Sequence, residues 1–116
     1  STAGLYAYAG AAVYCSTKAA VKTFSDGIRI DVIDSDIKVT TIQPGIVHTP
    51  FSEVRFHGDK KRAEAVYEGV DALHAEDIAD IIAFAVSRPK RVQISDIVIM
   101  ANQQATGFMV SKKKKQ

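Results

Sequence analysis

The chain has 116 residues, 47% hydrophobic and 24% charged, with a formal net charge of +2 and one cysteine, Cys15. These values suit one ordinary globular domain and exclude a low-complexity, collagen-like or disulfide-stapled chain. The apolar runs, such as 78–86 with Asp80 inside it, are too short to cross a bilayer, no basic-then-apolar leader opens the sequence, and a lone cysteine fits a reducing compartment, so a cytoplasmic protein without membrane contact is expected.

The chain's elements are predicted as follows. Val13, Ala20, Val21, Phe24, Ile28, Val32 and Ile33 recur at three- and four-residue intervals, which predicts an amphipathic helix over 13–33. It ends at the turn-prone cluster Asp34-Ser35-Asp36, and the β-branched run 37–42 then predicts a strand that Pro44-Gly45 stops. A loop with Pro50 and Gly58 follows, holding a short polar helix over 61–69. A second amphipathic helix is predicted over 75–87, with Ile78, Ile81, Ile82, Ala85 and Val86 on its buried side, Glu76 and Asp77 set against its N-terminal dipole, and Pro89 enforcing its end. His74 stands at its cap. Residues 92–100, ending in Ile97-Val98-Ile99-Met100, predict a buried strand.

Helix, strand, loop, helix, strand is the back half of an α/β pattern with parallel strands. Two such strands leave edges unpaired and apolar surface uncovered, so more sheet is expected than this sequence carries. Four of the positive charges are Lys112 to Lys115, without which the remainder is slightly acidic. That run is expected to be a solvated, disordered tail. Binding of nucleic acid through it ranks last among the functions weighed, because the body of the chain offers no aromatic platform or nucleic-acid motif.

The chemistry concentrates near the amino terminus. Tyr14 and Lys18 stand at i and i+4, on one face of the first helix, and Ser1 lies thirteen residues before the tyrosine. A free tyrosine, with a pKa of about 10, is a poor acid or base at neutral pH, and a fixed cation beside it stabilises its anion. Tyr-x-x-x-Lys is therefore a sensible acid/base pair, although by itself the spacing also occurs on many solvated helix faces.

The company of that pair decides between the two. Ser1-Thr2-Ala3-Gly4, then Tyr14-Cys15-Ser16-Thr17-Lys18-Ala19-Ala20, then Pro44-Gly45-Ile46-Val47-His48-Thr49 together resemble the short-chain dehydrogenase/reductase family, whose core is a serine, Tyr-x-x-x-Lys and a Pro-Gly loop ending in threonine. The resemblance extends to about Thr106. Residues 49–56, Gly58-Asp59 and 73–79 look most like the branch that oxidises serine, allo-threonine and related 3-hydroxy acids with NADP.

The resemblance implies an α/β fold, the carboxy-terminal portion of a Rossmann-type doubly wound parallel sheet. Residues 1–110 would be its catalytic part and 111–116 a basic tail. The amino-terminal half, with its glycine-rich turn and the residue choosing between NAD and NADP, is expected to be absent, and the isolated piece is expected to be inactive. It further implies hydride transfer between NADP or NAD and a hydroxyl or carbonyl carbon. Tyr14 would be the general acid/base, Lys18 would stabilise the tyrosine's anion and bond the nicotinamide ribose, and Ser1 would hold the substrate oxygen. Pro44, Gly45, Val47 and Thr49 would wrap the nicotinamide end. A homo-tetramer or dimer, paired through the 13–33 helix and the 75–100 region, is implied as well.

Arg55 is the candidate for a substrate carboxylate, since guanidinium pairs with carboxylate in a fork, and a solvated loop arginine is the alternative. His48 and His57 have no metal-ligand spacing and are expected to be structural or solvent-facing, and no metal is expected. Cys15 is expected to be a small buried residue rather than a nucleophile. The competing functional class is a non-catalytic module that keeps the subunit-pairing helix of such an enzyme without its activity.

Overall fold

The computed structural model describes residues 1–112. Of the expected basic tail, residues 113–116 lie outside the described residues. A short 3-10 turn, Thr2–Gly4, leads to helix α1, Ala12–Asp31, and then to strand β1, Thr41–Pro44. Two further helices, α2, Phe51–Arg55, and α3, Lys60–Tyr67, precede α4, Ala75–Val86, and strand β2, Asp96–Ile99. The strands pair in parallel, Thr41 opposite Asp96 and Pro44 opposite Ile99, with the three helices α2 to α4 in the crossover between them. The α/β order and the parallel pairing are those expected from the sequence.

The strand boundaries are shifted from the expected ones. Residues 37–40 carry the β-branched signal but stay outside the ladder, because their polar groups find other partners. Val39 N donates to Gln93 Oε1 at 2.9 Å, Thr40 Oγ1 donates to the Ile94 carbonyl at 2.7 Å, and Arg29 takes the Val39 carbonyl at 2.9 and 3.1 Å. Pro44 is the last residue of β1 rather than its stop, since a proline costs no ladder bond where no N–H is required. Likewise β2 covers 96–99 and not 92–100.

Arg29 and its neighbours fasten α1 to the start of both strands. Its guanidinium also donates to the Ser95 carbonyl at 3.1 Å and pairs with Asp26 at 2.9 Å, while Lys22 bridges Asp26 at 2.6 Å and Asp96 at 3.5 Å. The hydrogen bonds from Lys22 and Arg29 hold the Asp26 carboxyl below the usual carboxylate range, and the bond to Asp26 raises Lys22.

Little of the apolar surface is covered. The core cluster is Ala3, Ala11 and Cys15, with Tyr8 and Tyr14 packed against it, and no large side chain is fully buried among the described residues. The face of α4 expected to be buried is covered only in part: Ala85 is buried and Ile78 and Ile81 are half-buried, but Ile82 at 45% and Val86 at 79% are exposed, and the expected buried strand leaves Val98 at 44%. On α1, Val13, Phe24 and Ile30 are exposed, as is Ile33 just beyond its end. Periodicity marks which face is apolar, but the described residues cover only part of it. The accessible area of 8160 Å² exceeds by on the order of 2,000 Å² the value for a compact chain of this mass. The radius of gyration of 16.2 Å likewise exceeds the roughly 13 Å of a compact chain of this length. No helix among the described residues is long and apolar enough to cross a membrane.

Because side chains alternate along a strand, Thr41 and Gln43 point to one face of β1 and Ile42 and Pro44 to the other. Ile42 and Pro44 line a cleft. On the opposite face the Thr41 hydroxyl and the Gln43 amide oxygen are buried without a hydrogen-bond partner among the described residues.

Candidate active site

The cleft, about 560 Å³, opens between α1, the end of β1 and the α2–α3 segment. Ser1, Tyr14, Lys18, Pro44, Gly45, Val47, Thr49 and Arg55, the eight residues singled out from the sequence, all line it. No aspartate or glutamate does, so the lining carries the positive charges of Lys18 and Arg55 without a compensating carboxylate.

Helical geometry sets the first pair. Tyr14 and Lys18 lie one turn apart on α1, with the Lys18 ammonium 5.5 Å from the centre of the Tyr14 ring. The ring leans on Phe51 of α2, centroids 5.9 Å apart, and on the Ala3, Ala11, Cys15 cluster, which fixes where its hydroxyl can point. Cys15 is buried, as expected of a packing residue.

Ser1 caps the 3-10 turn, its Oγ accepting from Ala3 N at 3.0 Å, which leaves its proton for another acceptor. Gly4 lets this turn lie directly on α1. A Cβ there would sit 2.9 Å from the Lys18 carbonyl oxygen and 3.0 Å from its carbon, closer than side chains approach backbone. Ser1 and Lys18 both line the cleft next to this contact.

The loop after β1 is held from a distance. Gly45 N donates to the Ile99 carbonyl at 2.7 Å, and Ile46 N donates to Oε1 of the buried Gln104 at 3.0 Å. Any Cβ on Gly45 would run into that Gln104 amide, so glycine is required for the close approach. Ile46 and His48 exchange backbone bonds with Leu73, at 3.0 and 2.8 Å.

Tyr67 secures the outer part of the same loop. Its phenol oxygen lies 3.2 Å from the Val47 carbonyl, 3.1 Å from the Thr49 carbonyl, 3.4 Å from Thr49 N and 3.3 Å from Ser52 Oγ, while its ring packs on His48 at 4.5 Å. Removing the hydroxyl as Tyr67→Phe strands these groups and is expected to lower the unfolding free energy by about 1–2 kcal/mol, read from the urea midpoint. His48 and His57 are exposed, and among the described residues no cluster of histidine, cysteine and carboxylates is built to hold a metal. The His74 backbone N–H is capped by the Asp77 carboxylate at 2.7 Å, a local role.

Tyr8 was not singled out from the sequence, yet it lines the cleft. Burial pushes its phenol up from the ordinary value. The charge of the Arg55 guanidinium pulls the other way, and Cys15 and Tyr14 add smaller upward pushes. Tyr67, Phe51 and Gln104 were likewise missed. The only local signal for any of them was that Tyr8 falls inside the stretch joining Ser1 to Tyr14.

A family model described as short chain dehydrogenase matches residues 1–60. The chain is 42% identical over 113 residues to the NADP-dependent 3-hydroxy acid dehydrogenase of Schizosaccharomyces pombe, covering 97% of this chain and 44% of that protein. It is 39% identical over 111 residues to the serine 3-dehydrogenase of Agrobacterium fabrum, covering 95% and 45%. Among solved structures, the closed form of a serine dehydrogenase complexed with NADP+ superposes with a TM-score of 0.90 at 37% identity, over 98% of this chain and 46% of that one. The chain thus spans a little under half the length of the relatives it matches.

Proposed function

Because the chain belongs to the short-chain dehydrogenase family, we propose that residues 1–110 are the carboxy-terminal catalytic part of an NADP-dependent cytoplasmic oxidoreductase. Its substrate is a small 3-hydroxy acid or a serine-like amino acid. The observation that carries this reading is the single cleft onto which Ser1, Tyr14, Lys18, the Pro44–Thr49 loop and Arg55 all open, cationic and free of carboxylates. The names of the yeast and Agrobacterium relatives point the same way.

The lining fits a dinucleotide. A volume of about 560 Å³ suits the nicotinamide end of the cofactor beside a short acid, and Lys18 faces it without a competing anion. When bound, NADP supplies the hydride acceptor. Tyr14 Oη takes the proton of the substrate hydroxyl as the carbon–hydrogen bond breaks, and Lys18 stabilises the charge at that oxygen. Ser1 Oγ, already accepting from Ala3 N, donates its proton to the substrate oxygen and orients it. Gly45, Val47 and Thr49, on the loop that Gln104 and Tyr67 hold, would hold the nicotinamide end of the cofactor.

The exposed apolar faces of α1 and α4 are covered, in this reading, by the remainder of the sheet and by a second copy of the protein. The excess accessible area, on the order of 2,000 Å² on one chain, is more than twice the roughly 800 Å² that each partner of a standard interface buries, so it leaves room for both. The same open α1 face favours, as a second reading, a non-catalytic pairing module.

In the full-length protein, NADP with a 3-hydroxy acid such as serine is expected to yield NADPH, followed by its absorbance. Residues 1–116 alone are expected to show neither turnover nor saturable enhancement of NADPH fluorescence. Tight NADPH binding by the isolated span would contradict the division of labour.

A further inference from the structure

We propose that Tyr8 is a substrate-positioning residue, its phenol and the Arg55 guanidinium together forming the seat for the carboxylate of a small anionic substrate beside Tyr14. This rests on the hydroxy-acid reading above and adds to it the residue that fixes where the acid end of the substrate lies.

Arg55 alone makes a poor seat. It is exposed, at the end of the five-residue helix α2, and a long side chain that stays mobile gives up rotamer freedom on binding. Its ring neighbour, Phe56, lies 5.8 Å away and offers only a weak hold. Tyr8 differs. Its ring is half-buried and packed on Ala3, Ala11 and Cys15, the same cluster that fixes Tyr14, so the two phenols have a common rigid base. Tyr8 and Arg55 line the same cleft, so the packed phenol gives the mobile cation a fixed polar neighbour there.

The donor inventory leaves room for a ligand. A guanidinium has five N–H groups, and among the described residues no ion pair with a carboxylate engages those of Arg55. A phenol can accept from a guanidinium and still has its own O–H to give. One carboxylate can thus take a fork from Arg55 and a hydrogen bond from Tyr8. The cleft holds no aspartate or glutamate to occupy the seat or repel an anion. Because Tyr8 and Tyr14 pack on the same cluster and line the same cleft, the seat lies near the proposed acid/base hydroxyl, which selects acids whose carboxylate and hydroxyl are a few bonds apart.

The test is Tyr8→Phe in the full-length protein, which keeps the packed ring and removes only the hydroxyl. KM for the hydroxy acid is expected to rise about tenfold, the loss of one hydrogen bond to a charged group. The kcat for the acid, the KM for NADP and the kcat/KM for a neutral alcohol of the same length are expected to stay within twofold. The dissociation constant of malonate, an unreactive dicarboxylate, measured calorimetrically with NADP present, is expected to rise by the same factor. Arg55→Lys should not restore the acid's KM relative to Arg55→Ala, and Tyr8→Phe added to Arg55→Ala should cost nothing further, since the two act as one unit. If Tyr8→Phe weakens acid and neutral alcohol alike, or leaves malonate binding unchanged, the seat is wrong while the dehydrogenase reading stands. If the unaltered protein oxidises the neutral alcohol and neither oxidises the acid nor binds malonate, the hydroxy-acid reading and the seat fall together.

Discussion

Replacing Tyr14 by phenylalanine in the full-length protein is expected to lower kcat by about 10²- to 10⁴-fold, the usual contribution of a positioned acid/base group. The phenyl ring would still lean on Phe51 and on the Ala3, Ala11, Cys15 cluster, so folding and assembly should be preserved. NADP affinity should change little, because Lys18 and the Pro44–Thr49 loop remain in place. A primary isotope effect with substrate deuterated at the carbinol carbon would show whether the lost rate lies in the chemical step. Unchanged turnover with intact assembly would remove the acid/base role and favour the pairing-module reading.

The second large effect is expected at Gly4. In Gly4→Ala the new methyl meets Lys18 O at 2.9 Å, Lys18 C at 3.0 Å and Ala19 N at 3.2 Å, all backbone atoms of α1 that cannot swing aside. The turn bearing Ser1 must then lift from the helix bearing Tyr14 and Lys18. Overpacking of this kind costs about 1–3 kcal/mol of stability. A shift approaching an ångström between Ser1 and Tyr14 is expected to lower kcat/KM by up to about 10²-fold. Gly27 is the internal control: in the middle of the same helix, a Cβ there meets nothing within 4 Å, and Gly27→Ala is expected to be neutral or to raise stability by up to about 1 kcal/mol. Thermal unfolding and steady-state kinetics on the two variants separate a packing clash from a general intolerance of change in α1.

The first helix, with its acid/base pair and the order of elements after it, was legible because each depends on residues close in sequence. Tyr14 and Lys18 share a face because a helix turns every 3.6 residues, and α4 follows from its apolar period and acidic first turn. The limits of β1 were not legible. The β-branched run 37–42 records a local preference, whereas the ladder starts where Thr41 N finds the Ser95 carbonyl at 2.9 Å, a partner more than fifty residues away. Residues 37–40 instead bond Gln93, Ile94 and Arg29. The cleft's supporting residues escaped for the same reason: nothing local distinguishes Tyr67 from any helical tyrosine, or Gln104 from its neighbour Gln103. Which apolar faces are covered was misjudged because periodicity reports a face's composition and is silent about what lies against it.

The dependence of the Pro44–Thr49 loop on Gln104 also dictates the order in which the cleft is assembled. Ile46 N finds its acceptor 58 positions later, and Gly45 N reaches to Ile99, so closing the loop requires long chain closures that the helix bearing Tyr14 does not. The hydrogen bonds of α1 are all local, so during synthesis the helix that aligns Tyr14 with Lys18 can begin to form before the loop's distant partners exist. The opposite wall stays unbuilt until residue 104 has emerged, and a ribosome stalled before that point holds a chain bearing its acid/base pair and no pocket to use it in.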